Sequence, residues 1–412
     1  MRHSISLSLA LLPLLVAAAP HAYPDTQKIP IAKRSTLKNL DGSLNIPALL
    51  AHATYTQGKF QTGFSRFERN TGSPHPLAAK YQVQKRATAA DPLVNDDNEL
   101  WYGDISVGTP PRRYTVDFDT GSSDLFLPGP DCGQSCTGHT IYDPSRSSTS
   151  LDIGKTFSLQ YGDNSTVAGE QYNDTVTVAG LTATSQTFGV ATQYSAGFER
   201  SQFPADGLMG MGFKAIAEYN TNPVFQTLAA QQQTTEPVFA FKLAKQGSEL
   251  FLGGTNSDLY TGEFTYVNVT TRGYWEVVLD AVSADNTTVA KNLDSIIDTG
   301  TTLIIGDPTN VAAFYTAVGG KSAASTVGEG YYTFPCSKVP QASLTFGGKS
   351  FAISAETFNL GPVTPGSEDC VGGIMAQSGV GFWVVGDVFL ANVYSSYDIH
   401  NALVGFATLS GK

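Results

Sequence analysis

Positive charge is scarce beyond residue 86. Residues 87–412 hold fourteen Lys and Arg against thirty-three Asp and Glu, whereas residues 20–86 hold ten against three. So acidic a body argues against nucleic acid as a partner. It suits low pH instead, because protonating its carboxyls leaves only a modest positive charge. Histidine is scarcer still: only His139 and His400 follow Arg86. With no Gly-x-Ser-x-Gly and no His-Glu-x-x-His, serine and zinc hydrolase chemistry is hard to assemble. Long apolar runs are limited to Leu7–Val16, which follows Arg2 and leads into Ala17-Ala18-Ala19. That run predicts a secretory signal peptide over residues 1–19, too short to anchor in a bilayer. No membrane-spanning stretch follows, and residues 401–412 carry no hydrophobic anchor-addition tail, so no membrane attachment is expected.

Cysteine is limited to Cys132, Cys136, Cys336 and Cys370. In a secreted chain these favour two disulfides, with three pairings possible. Cys132 with Cys136 and Cys336 with Cys370 is the preferred set, because it closes one loop in each half. A zinc site at Cys132, Cys136 and His139 is the weaker alternative, having no fourth ligand nearby. Neither a metal nor a cofactor is expected.

What the chain does have is one short pattern twice. Val116-Asp117-Phe118-Asp119-Thr120-Gly121-Ser122-Ser123 in the first half is matched by Ser295-Ile296-Ile297-Asp298-Thr299-Gly300-Thr301-Thr302 in the second. A chosen tripeptide is expected only about 0.05 times in a chain this long, so a doubled Asp-Thr-Gly after a β-reading run is specific. Two apolar-Gly segments, Gly207-Leu208-Met209-Gly210 and Trp383-Val384-Val385-Gly386, follow the two Asp at nearly equal distances. From Leu100 onward, short β-branched and aromatic runs are broken by Gly, Asn, Asp and Ser, which predicts a mainly β body of two matching lobes. Helices are expected at 224–232 and 309–318, after Asn222-Pro223 and Asp307-Pro308.

An Asp between an apolar strand and Thr-Gly cannot be buried as a charge without dedicated donors. Ser122 and Thr301 can supply them, and Gly121 and Gly300 permit a tight turn. Were Asp119 and Asp298 about 3 Å apart, repulsion of roughly 5 kcal/mol, about four pKa units, would make them share one proton. Such a pair can take a proton from water while giving one to a carbonyl oxygen.

At these residues the chain resembles pepsin-like aspartic proteases, most closely the secreted fungal ones, over nearly its whole length. The resemblance implies a bilobal acid-protease fold, with two β-barrel-like lobes related by a pseudo-twofold and an active-site cleft between them. It implies Asp119 and Asp298 as the catalytic pair, Ser122 and Thr301 on their outer oxygens, and Thr120 and Thr299 tying the turns together. The two apolar-Gly segments would form loops beneath the turns. Leu159-Gln160-Tyr161-Gly162-Asp163-Asn164-Ser165 resembles the flap, with Tyr161, Gly162, Asp163 and Ser165 at the substrate and Asp163 suited to pairing a substrate Lys. Phe126 stands where many relatives carry Trp, so no indole N–H is available there to steady Tyr161.

Four segments are expected: a signal peptide at 1–19, an activation propeptide at 20–86, a lobe at 87–262 with the first Asp and the flap, and a lobe at 263–412 with the second Asp. Lys85-Arg86 is the preferred processing site over Lys33-Arg34, and the basic leader would dock on the acidic body. The expected activity is acid hydrolysis of peptide bonds in protein and peptide substrates, with bulky apolar side chains around the scissile bond. Further partners would be the chain's own propeptide and pepstatin-type inhibitors. The enzyme would be a monomer, secreted to the extracellular space or held in the vacuole. The alternatives are an inactive binding protein on the same scaffold and a glycosidase, which needs carboxyls about 5 Å or more apart. Asn164, Asn173, Asn268 and Asn286 are glycosylation acceptors by pattern.

Overall fold

The computed structural model describes residues 27–34, 37–39, 41–81, 100–160, 165–244 and 247–411. The expected signal peptide, Lys85-Arg86, and Tyr161, Gly162, Asp163 and Asn164 of the flap sequence lie outside them.

Each Asp-Thr-Gly sits at the end of a strand whose parallel neighbour carries the apolar-Gly segment. Arg112–Asp119 runs beside Gly207–Gly210 with Asp119 opposite Gly210. Thr287–Ile297 runs beside Trp383–Val385 with Ile297 opposite Val385. Both neighbours are apolar throughout and fully buried, as expected for strands covered on both faces. The first pair belongs to an eight-stranded sheet and the second to a seven-stranded one, so each half has its own β layer.

A six-stranded sheet joins the two. It contains Val238–Lys242, Glu249–Leu252 and Tyr260–Asn268, together with Val393–Asp398 and Leu403–Leu409 from the far end of the chain. Two short N-terminal strands extend these sheets: Lys28–Pro30 pairs with Glu249–Leu252, and Ala32–Arg34 pairs with Leu100–Tyr102. The expected short helices form as Val224–Ala230 and Pro308–Ala317, the second capped by the Asp307 side chain accepting from Asn310 N–H. Cys132 is bonded to Cys136 and Cys336 to Cys370, one bridge in each half.

Among the described residues the largest helix, Ile46–Thr71, lies in the N-terminal segment, where no helix was expected. Asn45 accepts from Ala48 N–H, Pro47 sits in the first turn, and Gly72 closes the end at φ 79° while donating to Glu68 O. Leu49, Ala53, Phe60, Phe64 and Phe67 form its buried stripe. Each of the three phenylalanines contributes about 1.5–3 kcal/mol by burial against the body. Gly63 is in the same stripe because a Cβ there would overlap the Tyr274 hydroxyl at 1.6 Å.

Candidate active site

The two turns present their carboxylates in the same way. Asp119 accepts from Gly121 N–H at 2.9 Å and from the Ser122 hydroxyl at 2.6 Å. Asp298 accepts from Gly300 N–H at 3.0 Å and from the Thr301 hydroxyl at 2.6 Å. The turns face each other so closely that a Cβ on Gly121 would meet Asp298 Oδ1 at 2.4 Å, and one on Gly300 would meet Asp119 Oδ1 at 2.3 Å. No side chain larger than hydrogen fits at either position.

Between the turns, Thr120 and Thr299 exchange hydrogen bonds. Thr120 N–H donates to Thr299 Oγ1 at 3.0 Å and Thr299 N–H to Thr120 Oγ1 at 2.9 Å. Their hydroxyls donate across to Ile297 O and Phe118 O at 3.0 and 2.8 Å. Beneath, Met211 N–H donates to Asp119 O and Asp387 N–H to Thr301 O, both at 2.8 Å. Replacing Thr120 with Val keeps the shape but strands Ile297 C=O and Thr299 N–H in the interior. We expect a loss of about 3 kcal/mol, read from the denaturant midpoint, with Thr120→Ser close to wild type.

The N-terminal helix places Lys59 over the pair. Its Nζ donates to Asp119 Oδ1 at 2.7 Å and to both oxygens of Asp298 at 3.0 Å, and all three side chains are buried. Burial works to strip the Lys59 proton, but the charges of Asp119 and Asp298 outweigh it and hold the ammonium above its ordinary value. Burial pushes the Asp119 carboxyl up, with Lys59 pulling against it. Burial acts on Asp298 too, yet Lys59 and the Thr301 hydroxyl prevail and hold it below the usual carboxylate range. Lys59 thus favours the ionised form of both acids.

Around this centre the helix continues to cover the body. Phe60 and Phe64 pack on Tyr274 and Phe382, and Tyr81 on Phe382. His52 Nε2 accepts from Thr302 N–H at 2.8 Å, just past the second turn. Thr62 donates to Gln160 O at the end of the strand that enters the flap sequence. Arg66 Nε donates to Glu218 at 2.9 Å, and Arg69 reaches the same carboxylate.

Of the flap residues singled out in the sequence, Ser165 is described and buried; Tyr161, Gly162 and Asp163 lie outside the described residues. Phe126 is wholly buried and packs edge-on to Tyr194 and Phe198. Among the glycosylation patterns, Asn268 and Asn286 are exposed, whereas Asn173 is half-buried and accepts from Thr187. Lys59 and its helix were not foreseen. The signal was available: Asn-Ile-Pro at 45–47 opens a run with apolar residues at helical spacing, and Lys59 interrupts that stripe.

A family model described as eukaryotic aspartyl protease matches residues 100–409. An aspartic protease of Phaffia rhodozyma is 48% identical over 340 residues, covering 81% of this chain and 82% of that protein. Cathepsin D of Clupea harengus is 34% identical over 400 residues, covering 92% and 94% of the two chains. Major aspartyl peptidase 1 of Cryptococcus neoformans var. grubii is 32% identical across 99% of this chain and 89% of its own length. Two acid turns built alike and facing one another agree with those likenesses, and the chain belongs to the eukaryotic aspartyl protease family, as a mainly β, bilobal, pepsin-like endopeptidase of protein or peptide substrates.

Proposed function

We propose that the protein is a secreted aspartic endopeptidase made as a zymogen and active at acid pH. Residues 1–19 are the signal peptide, 20–86 the activation propeptide, and 87–262 and 263–412 the two lobes. Asp119 and Asp298 are the catalytic pair, and Tyr161, Gly162, Asp163 and Ser165 form the flap. The observation that carries the reading is Lys59 bonded to both carboxylates, because a cation from the leader occupies the place where a peptide would react.

Once the leader leaves, the facing acids lose their counter-charge and hold one proton between them. One carboxylate takes a proton from water while the other gives its proton to the peptide carbonyl oxygen, and the Gly121 and Gly300 N–H groups steady the oxygens that remain. A preference for bulky apolar side chains follows from Tyr274 and Phe382, which the leader covers with Phe60, Phe64 and Tyr81.

Acid favours release, and the sign follows from Lys59. It holds Asp298 below the usual carboxylate range in the docked state, so this contribution is present at higher pH and fades as falling pH protonates Asp298. The buried His75–Glu276 contact at 3.5 Å adds little net dependence. Burial lowers His75 to about 4 and raises Glu276 to about 7, so docking expels a proton from one and draws one to the other.

The test begins with the secreted proprotein at pH 7. Shifting it to pH 4 should bring out pepstatin-sensitive hydrolysis of denatured haemoglobin, together with a new N-terminus just after Arg86. Asp119→Asn proprotein in the same medium separates self-cleavage from a dibasic-directed protease. Absence of pepstatin-sensitive hydrolysis at every pH would favour the inactive binding protein, and full activity with the leader still docked would overturn the zymogen.

A further inference from the structure

The leader holds a second cationic contact, outside the catalytic pair. Asp124 lies in the loop just past the first turn and is buried, its oxygens accepting from Glu218 N–H at 2.8 Å and Tyr219 N–H at 3.2 Å. Arg66 fills the space in front of it, with Nη1 at 3.7 Å from Asp124 Oδ2 and Nε bonded to Glu218 Oε2 at 2.9 Å. Arg69 reaches both Glu218 oxygens at 3.3 Å and the Glu218 carbonyl at 2.9 Å. Two guanidinium groups of one helix are therefore bound by two acids of the body, and the helix is the part that departs on activation.

We infer that Asp124 and Glu218 form a cation subsite of the mature cleft, which selects substrates carrying Arg or Lys about three residues from the scissile bond. The distance follows from the helix itself. Arg66 is seven residues from Lys59, a rise of about 10 Å, and an extended peptide covers that span in about three residues. The helix thus displays its cations with the spacing an extended substrate would need to reach the same two places. The inference rests on the proposed function, since it requires the leader to leave and a peptide to take its place.

The subsite should also respond to pH. Burial raises the Asp124 carboxyl, with Arg66 working against it, and Glu218 is the other charged group facing it. Without Arg66 only the Glu218 and Tyr219 N–H donors still oppose burial, so Asp124 gives up its charge more readily as pH falls. The preference for a cation should therefore be strongest at the upper end of the working range and fade in stronger acid.

The experiment uses the mature enzyme and peptides that differ only in Arg or citrulline, placed in turn at two, three and four residues on each side of one scissile bond. Wild-type enzyme at pH 5 should favour Arg by about tenfold in kcat/KM at one of these positions, with the ratio approaching one at pH 3 and falling with added salt. Glu218→Gln should bring the pH 5 ratio to about two, and Asp124→Asn should lower it as well. Pepstatin titration counts the folded sites in each variant. Cleavage of the citrulline peptides with ratios near one at all six positions would overturn the inference and leave the proposed function standing. Failure to cleave any peptide would overturn the proposed function instead.

Discussion

Asp298→Asn in the processed enzyme is expected to lower kcat by about four orders of magnitude with little change in KM. The amide oxygen can accept from Gly300 N–H while the amide N–H donates to the Thr301 hydroxyl, which turns to accept, so the turn should keep its shape. It cannot carry the proton on which the pair depends, and neither acid can replace the other. Single-turnover hydrolysis of a peptide with bulky apolar residues at the scissile bond measures the loss directly, and pepstatin titration shows that the site is assembled. Residual turnover within tenfold of wild type would mean that the facing acids are not the catalytic pair.

The second large effect is expected in the proprotein. Lys59→Met retains the apolar stem and removes the charge, leaving Asp119 and Asp298 face to face under an apolar cover. Removing one partner of a buried ion pair costs about 3–5 kcal/mol, which corresponds to roughly 10²–10⁴ in the balance between docked and open leader. The variant should bind immobilised pepstatin at pH 7, where wild-type proprotein does not. Its opening should depend less steeply on pH, because the cation that holds Asp298 low is gone. Lys59→Arg should stay closed. Wild-type behaviour from Lys59→Met would show that the apolar face of the helix holds the leader without the ion pair.

Much of the chemistry was legible in the sequence because it is local. Asp119 with Ser122, and Asp298 with Thr301, lie three residues apart, so each turn carries its own donors and is announced by its own tripeptide. The apolar-Gly segments, expected as loops beneath the turns, are instead buried strands that run parallel to the two Asp-bearing strands. The leader was not legible in the same way. Lys59 is 60 residues from one acid and 239 from the other, and no local pattern gives a pairing of that range. Gly63 reads as a helix breaker by composition, yet it is the residue that allows close approach to Tyr274. The charge contrast between the first 86 residues and the rest gave the sign of the attraction without naming a single contact.

The strand Lys28–Pro30 gives cutting and opening different meanings. It is hydrogen-bonded to Glu249–Leu252, and Ala32–Arg34 to Leu100–Tyr102, by main-chain bonds that do not depend on an intact link after residue 81. A chain severed there would remain a two-piece complex, stitched along two sheet edges and plugged by its helix. Scission would then show on a denaturing gel well before any substrate is consumed, and the delay between the two would time the departure of the plug.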